Sequence, residues 1–219
     1  MVKSSAKDDT YDLLMKIVTG RRSIRRFKSK IPEKELLLKM LDAARNAPSA
    51  TNLQPWKFFV ITNPAVKDQM AIAVSNKLNS LATTNLSRTV GGSENVKAFG
   101  REYFLFFRKA PVVIATFFKP YPVAASLGYE SNSDSEEKMR MLGIESTSAA
   151  MQNMLLAAHS LDLGTCWLDG PLIARKELEA LLNVDEPWRL MCLVAVGYPE
   201  NVPSPVRRKK LALISRFME

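Results

Sequence analysis

Apolar side chains recur at α-helical spacing in several stretches of the chain. Between Asp8 and Val18 they return every three or four residues, and Gly20 follows where such a helix ends. A second helix opens at Pro32, in a first turn that does not need the missing N–H group, and should stop before Pro48. The same spacing predicts four further helices, over residues 64–81, 96–108, 144–161 and 172–182.

Short runs of β-branched and aromatic residues lie between these helices. They predict four strands, at residues 56–61, 112–118, 165–168 and 189–196. The polar stretches 82–95 and 120–138 are predicted to be loops, and helix 144–161, apolar or small almost all round, should be buried. Because helices and strands mix without strict alternation, the pattern favours an α+β fold with helices on both sides of one sheet. No linker interrupts the sequence, so we expect residues 1–219 to form a single domain.

Composition changes this picture little but excludes several classes of protein. Of 219 residues, 47% are hydrophobic and 24% charged, which is typical of a globular protein and not of a disordered one. No apolar run approaches the roughly 20 residues of a spanning helix, and the polar start lacks a secretory signal. Cys166 and Cys192 stand in apolar surroundings, which suits free thiols in a reducing compartment. We therefore expect a cytoplasmic protein with no membrane partner.

The net charge of +9 is concentrated in two places. Residues 21–30 carry six cations and no acid, and residues 207–210 are four successive cations. This distribution predicts an anionic partner without naming it. The two clusters could converge on one phosphate group, or each could be a solvated stretch. A basic nucleic-acid-binding protein is the alternative outside enzymes, and its affinity would fall steeply with salt.

The familiar machinery of catalysis and metal binding is missing from the sequence. There is no glycine-rich dinucleotide or phosphate loop, no paired cysteine or histidine spacing for zinc, and no serine elbow. His159, the single histidine, lies in a predicted helix and cannot build a histidine-rich site alone. We therefore predict no metal site and name no catalytic side chain. An enzyme with so few reactive side chains of its own depends on a bound cofactor for its chemistry.

Three segments offer groups that could bind one. The basic arm carries guanidinium and hydroxyl donors suited to phosphate, in Arg21, Arg22, Ser23 and Arg25. A proline-bracketed loop offers polar groups suited to a flat ligand edge, in Pro48, Ser49, Ala50, Asn52 and Gln54. A strand ends at Asp169 and Gly170, where backbone N–H groups are left exposed. Taken singly, each segment could equally be a solvated arm, a connection or a piece of core.

Together and in this order, the three segments resemble the FMN-dependent nitroreductase family. The resemblance is carried by Arg-Arg-Ser-Ile-Arg-x-Phe, by Ala-Pro-Ser-Ala-x-Asn-x-Gln-Pro-Trp, and by Gln-Asn-x-Leu-Leu-Ala-Ala followed by Gly-Thr-Cys-Trp. It covers most of residues 10–210 and is loose between about 68 and 142. One departure is Asp162, which stands where the family usually has glycine.

The resemblance implies an α+β fold with a central, mostly antiparallel sheet, in an intertwined homodimer that holds two FMN molecules at its interface. It assigns Arg21, Arg22 and Ser23 to the phosphate and Arg25 to the flavin N1 and C2 carbonyl. The loop with Pro48, Ser49, Ala50, Asn52 and Gln54 would reach the flavin from the partner subunit. Asp169 and Gly170 would meet flavin N5, and Arg207 or Arg208 would add a phosphate contact.

The activity implied is a ping-pong transfer of hydride from NAD(P)H through FMN to an electron-poor acceptor, such as a nitroaromatic or a quinone. The partners expected are therefore small molecules and a second copy of the chain, not nucleic acid. Reductive dehalogenation and flavin cleavage are alternatives within the family, and a non-catalytic flavin-storing protein is another. The aromatic residues Tyr103, Phe104 and Phe107 could line the substrate site or could be core.

Overall fold

The computed structural model describes residues 6–82, 103–121 and 133–219, and within them one four-stranded sheet. Its strands lie in the order β1-β2-β4-β3, and every neighbouring pair is antiparallel. The strands are β1 (Trp56–Ile61), β2 (Val112–Phe118), β3 (Gly164–Leu168) and β4 (Arg189–Gly197). The predicted α+β class with a mostly antiparallel central sheet is therefore confirmed.

Five α-helices surround this sheet in the described part of the chain. They are α1 (Ala6–Gly20), α2 (Lys34–Arg45), α3 (Pro64–Ala82), α4 (Ser133–Ser160) and α5 (Arg175–Leu181). Short 3₁₀ turns occur at Ala50–Asn52, Phe106–Lys109, Gly170–Ala174 and Leu211–Leu213. None of the described helices has the length and hydropathy needed to cross a membrane.

Both faces of the sheet are covered, which explains why its central strands are apolar except at Thr116 and Arg189. Met40 of α2 and Met151 of α4 pack with Ile114 on one face. Met70 of α3 and Leu178 of α5 join the core on the other face. All seven residues of β2 are buried, so neither face of this strand needs polar side chains. Period-two alternation is expected only where one face meets water.

The basic arm follows α1 and runs along the outer edge of β3. Ser23 forms a parallel bridge with Thr165, and the Ile24 amide donates to the Thr165 carbonyl at 2.8 Å. Further along, the Lys28 amide donates to the Tyr198 carbonyl at 2.8 Å. The interpretation of this segment as a solvated arm is therefore wrong for its backbone, which is hydrogen-bonded to the sheet.

Two surfaces of the isolated chain leave apolar side chains in water. Residues 200–219 are all exposed, and Phe217 near the end keeps 88% of its surface accessible. On α1 the residues that made the predicted apolar face are also exposed, including Tyr11, Leu14 and Val18. Exposed apolar surface of this extent is typical of a protein interface.

Most predicted elements appear within a few residues of their expected bounds, with three exceptions. The predicted loop 120–138 is helical from Ser133, because the acidic residues after it suit the first turn of α4. The predicted helix 172–182 begins as a 3₁₀ turn and becomes α-helical at Arg175. The described end of predicted helix 96–108 is a 3₁₀ turn that stops at Ala110, which is extended before Pro111.

Other parts of these predictions fall outside the described residues. They are residues 83–95 of one predicted loop, 96–102 of the aromatic helix and 122–132 of the second loop. Helix 144–161 is buried along one stripe, where Ala150, Met154 and Ala158 recur at helical spacing, while Gln152 is exposed. Its burial within one chain is thus narrower than predicted.

Candidate functional site

The basic arm brings several cations to the outer edge of β3. Arg21 and Arg22 are half-buried, while Ser23 and Arg25 are exposed. Two of these cations act on the thiol of Cys166 in β3. Burial raises the pKa of this thiol, and the nearby charges of Arg25 and Arg21 oppose that rise. The arm therefore presents guanidinium groups on the same stretch of strand that precedes Asp169.

Arg22 caps the end of α1 and carries a further, buried donor. Its Nη1 donates to the Thr19 carbonyl at 2.7 Å and to the Arg21 carbonyl at 2.8 Å, which caps the end of α1. Its Nε is buried and has no hydrogen-bond partner within the described residues. A buried donor without a partner costs about 1–3 kcal/mol, so an oxyanion here would relieve a deficit. The donor set accordingly fits a phosphate group such as that of FMN.

The end of β3 meets an aromatic side chain from a distant part of the sequence. Asp169 accepts a hydrogen bond from Trp167 Nε1 at 2.9 Å, and Gly170 starts a 3₁₀ turn. A Cβ atom added to Gly170 would overlap the ring of Phe104, so this ring lies directly against the glycine. Only glycine permits so close an approach.

Tyr103 lies beside the same region, with the Arg25 guanidinium 5.7 Å from its ring centroid. Tyr103 and Phe104 thus flank Arg25 and Gly170, the two positions that the resemblance assigns to the flavin ring. Phe107 is completely buried in the core and contributes no surface. Of the three aromatic candidates, two lie near the candidate site and the third is core.

The proline-bracketed loop between α2 and β1 has an unusual backbone. Thr51, Asn52 and Gln54 have positive φ angles of 45°, 57° and 51°. Side chains other than glycine adopt this left-handed region at a cost of about 1–2 kcal/mol each. Such residues cluster at functional sites, where surrounding contacts impose the conformation.

Contacts from α4 and from the segment that follows β2 hold the loop in place. The Lys119 amide at the end of β2 donates to the Pro55 carbonyl at 3.1 Å, and Thr147 of α4 donates to the same oxygen at 3.3 Å. The buried Tyr121 hydroxyl donates to the Ala50 carbonyl at 2.5 Å and hydrogen-bonds with the Thr51 hydroxyl. Tyr121 was missed by sequence reasoning, because no local pattern links it to a loop seventy residues away.

A single chain does not bring the arm and the loop together. The arm lies along β3 and the loop leads into β1, and these strands are the two opposite edges of the sheet. Three strand spacings of about 4.8 Å separate the edges by about 14 Å. Arg207 and Arg208 lie in the exposed tail, and no hydrogen bond or ion pair among the described residues joins them to the arm. The predicted ligands thus form separate groups within one chain.

Comparison with known proteins identifies the family of this chain. The model of the nitroreductase family matches residues 18–198, which is most of the chain. This chain belongs to the nitroreductase family. No cluster of potential metal ligands occurs among the described residues of this family member.

Three relatives illustrate the range of the similarity. YfhC of Bacillus subtilis (strain 168), provisionally named an NAD(P)H nitroreductase, is 24% identical over 95% of each chain. The crystal structure of a BluB-like flavoprotein from Clostridium difficile 630 is 28% identical, covers 94% of this chain and 99% of its own, and has a TM-score of 0.83. An oxidized iodotyrosine deiodinase bound to FMN and 3-iodo-L-tyrosine is 25% identical, covers 94% and 99%, and has a TM-score of 0.70. The family thus comprises FMN-binding flavoenzymes of more than one chemistry.

Proposed function

We propose that this nitroreductase-family protein is an FMN-dependent oxidoreductase that passes hydride from NAD(P)H to an electron-poor small molecule, such as a nitroaromatic or a quinone. The observation that carries the proposal is the basic arm on β3, where the buried Arg22 Nε has no partner among the described residues. The neighbouring residues Tyr103 and Phe104 contact Arg25 and Gly170 respectively. Bound FMN would supply the two-electron carrier that the side chains of the chain lack.

The residues of the arm would divide the binding of FMN between them. Arg21, Arg22 and Ser23 would hold the phosphate, because guanidinium and hydroxyl donors suit its oxygens. Arg25 would set a positive charge beside the flavin ring and favour its reduced, more negative form. Asp169 and Gly170 would orient the ring from the end of β3, where the turn presents backbone N–H groups. Protons for the acceptor come from water in this proposal, so no catalytic acid is assigned.

A homodimer completes the site in this proposal. The loop residues Pro48, Ser49, Ala50, Asn52 and Gln54 stand on the opposite edge of the sheet from the arm. This separation supports a site in which the loop that meets the flavin would come from the partner subunit. The exposed tail and the exposed face of α1 supply apolar surface for such an interface. Arg207 or Arg208, carried by the tail, would then add its charge to the phosphate.

We also infer a single FMN-binding domain over residues 1–219 and a cytoplasmic location. Support for the location comes from Cys166 and Cys192, which are free and buried. The iodotyrosine deiodinase similarity supports reductive dehalogenation as a second candidate activity on the same site. Both activities use the same arm, and they differ in the acceptor.

The test is the visible absorption spectrum of the purified protein, recorded before and after anaerobic NADPH or NADH. A flavin band that bleaches with the reductant and returns with a nitroaromatic or a quinone supports the proposal. Return of the band only with 3-iodo-L-tyrosine would favour the dehalogenation candidate. A flavin band that neither reductant bleaches would indicate flavin storage. Protein that ignores added FMN, and binds DNA with strong salt dependence, would refute the flavoenzyme.

Light scattering on the same sample tests the dimer. A mass near twice 24.5 kDa is expected. A monomer that nevertheless binds FMN tightly would show that the loop of the partner subunit is not needed.

A further inference from the structure

Besides the candidate flavin site, a concave surface adjoins the arm on the side of α3. It is a cleft of about 690 Å³ between the arm, α3 and the 3₁₀ turn Phe106–Lys109, and we name it the basic cleft. Four of its lining residues are cations, namely Arg25, Arg26, Arg108 and Lys109. Its volume lies within the range of small-molecule sites in proteins.

The charge of the basic cleft is only partly balanced by the protein. Arg108 Nε donates to Asp68 at 2.6 Å, and this bond lowers the pKa of the Asp68 carboxyl. Asp68 thus neutralises one of the four cations and holds its side chain in place. No carboxylate lines the cleft among the described residues, so the balance there is positive.

The floor of the basic cleft is apolar. Ala71 and Ile72 of α3 contribute from one side, and Leu105 and Phe106 from the other. Ile72 keeps 59% of its surface exposed, which is unusual for an isoleucine on a helix that packs against the core. An apolar floor ringed by cations suits a ligand with an apolar body and an anionic group.

We propose that the basic cleft binds the anionic end of a substrate whose reactive end reaches the region of Arg25. The ligand class is an aromatic or otherwise apolar molecule that carries a carboxylate or a phosphate group. Arg25 lines both the cleft and the candidate flavin site, so one extended molecule can occupy the two together. The inference rests on the proposed function, since it places the cleft beside the flavin.

Two sources could supply such an anion, and an experiment can separate them. The anion is either a carboxylate of the acceptor or the additional phosphate of NADPH. The probes are therefore two matched pairs, 4-nitrobenzoate with nitrobenzene and NADPH with NADH. Binding of 4-nitrobenzoate and nitrobenzene is measured by titration calorimetry on the protein with oxidised FMN. Binding of NADPH and NADH is measured anaerobically on the protein with chemically pre-reduced FMN, so that no hydride is transferred in either titration.

The test variant is Arg26→Gln with Lys109→Gln, which removes two cations and leaves Arg25 and the Arg108–Asp68 pair in place. The matched control is Lys34→Gln with Lys39→Gln, since both lysines are exposed on α2, across the sheet from α3. Thermal unfolding of both variants checks that they fold equally. Because two exposed cations are removed, the test variant should weaken binding of the member with the additional anionic group, in one of the two pairs, about tenfold.

The member without the additional anionic group, nitrobenzene or NADH, should keep its affinity within about twofold, and the control should bind every probe as the wild type does. A loss confined to 4-nitrobenzoate assigns the cleft to the acceptor, and a loss confined to NADPH assigns it to the donor. The inference is overturned when neither anion weakens relative to its partner, or when both variants weaken it equally. It is also overturned when the test variant loses only affinity for DNA.

Failure of the proposed function is recognised separately. Protein that takes up no FMN is titrated with 4-nitrobenzoate and nitrobenzene all the same. A preference for the carboxylate that disappears in the test variant would then support an anion site without a flavin. Equal binding of the two probes would refute the cleft as well.

Discussion

Tyr121 clamps the strained loop of the candidate site, and its hydroxyl can be removed without changing the shape of the ring. The side chain is 4% exposed, and its hydroxyl donates to the Ala50 carbonyl and hydrogen-bonds with the Thr51 hydroxyl. In Tyr121→Phe the carbonyl loses this donor and Thr51 loses an interaction that supports its positive φ. We expect the loop to leave its left-handed conformation more often.

The size of the effect follows from the burial of these groups. A buried acceptor without a partner costs about 1–3 kcal/mol, and Ala50 is only half-buried, so we expect a loss of about 1–2 kcal/mol. For a chain of 219 residues this corresponds to a melting temperature lower by about 2–8 °C. If the native loop is needed for FMN, the same free energy raises the dissociation constant about 5- to 30-fold.

Two assays measure these changes, namely thermal unfolding by circular dichroism and titration of the apoprotein with FMN. The matched control is Tyr198→Phe, which removes a phenol hydroxyl bonded at 2.7 Å to the exposed carboxylate of Glu33. An exposed bond of this kind contributes less than a buried one, so the control should change the melting temperature less than Tyr121→Phe does and leave the FMN affinity as in the wild type. The reasoning is refuted if Tyr121→Phe and Tyr198→Phe change the melting temperature and the FMN affinity equally. A lower melting temperature with unchanged FMN affinity would leave Tyr121 a structural role alone.

Three further predictions concern the scaffold. Lys67 is 6% exposed, and its Nζ donates to the carbonyls of Ala110 at 2.6 Å and Pro111 at 3.1 Å. Because both carbonyls would lose this donor, Lys67→Met should lower the free energy of unfolding, measured by urea denaturation, by about 1.5–3 kcal/mol. Gly143→Ala should destabilise the protein in the same assay, because the new methyl group would overlap the Lys119 carbonyl. Helix propensity alone predicts the opposite, a gain of up to about 1 kcal/mol. Hydrogen bonds from Lys30 and Tyr198 lower the pKa of Glu33 to about 2, so its stabilising effect is present above the unfolded value near 4.5 and is lost between that value and 2. The difference in melting temperature between wild type and Glu33→Gln should therefore shrink as the pH falls from 5 to 2, and a constant difference would contradict this assignment.

The sheet was predictable because its two central strands are defined by composition. Val112–Phe118 and Arg189–Gly197 are runs of apolar residues long enough for a strand and too short for a buried helix, whichever elements cover them. The beginning of α4 was not predictable, since its polar residues from Ser133 suit either a loop or the exposed first turns of a helix. Tertiary context decides between these possibilities, and a sequence window does not contain it.

The candidate site divides in the same way. The resemblance named the polar residues of the arm and the loop, because their side chains are what the family pattern records. It did not reveal the positive φ angles of Thr51, Asn52 and Gln54, since none of these residues is glycine and the angles depend on contacts with Tyr121 and Lys119. Sequence reasoning likewise did not predict that Lys109 and Arg26 line the same cleft.

The topology of the sheet gives these separate pieces one physical explanation. An edge strand leaves unpaired backbone groups that a protein must cover, and here the edge at β3 is covered by the basic arm of the same chain. The loop leads into β1 at the other edge, and hydrogen bonds from Lys119 after β2 and from Thr147 of α4 hold its last residue in place. In the proposed dimer, each chain would bring its loop to the arm of the other chain. The strand order β1-β2-β4-β3 therefore supports the proposal that a second chain completes the site.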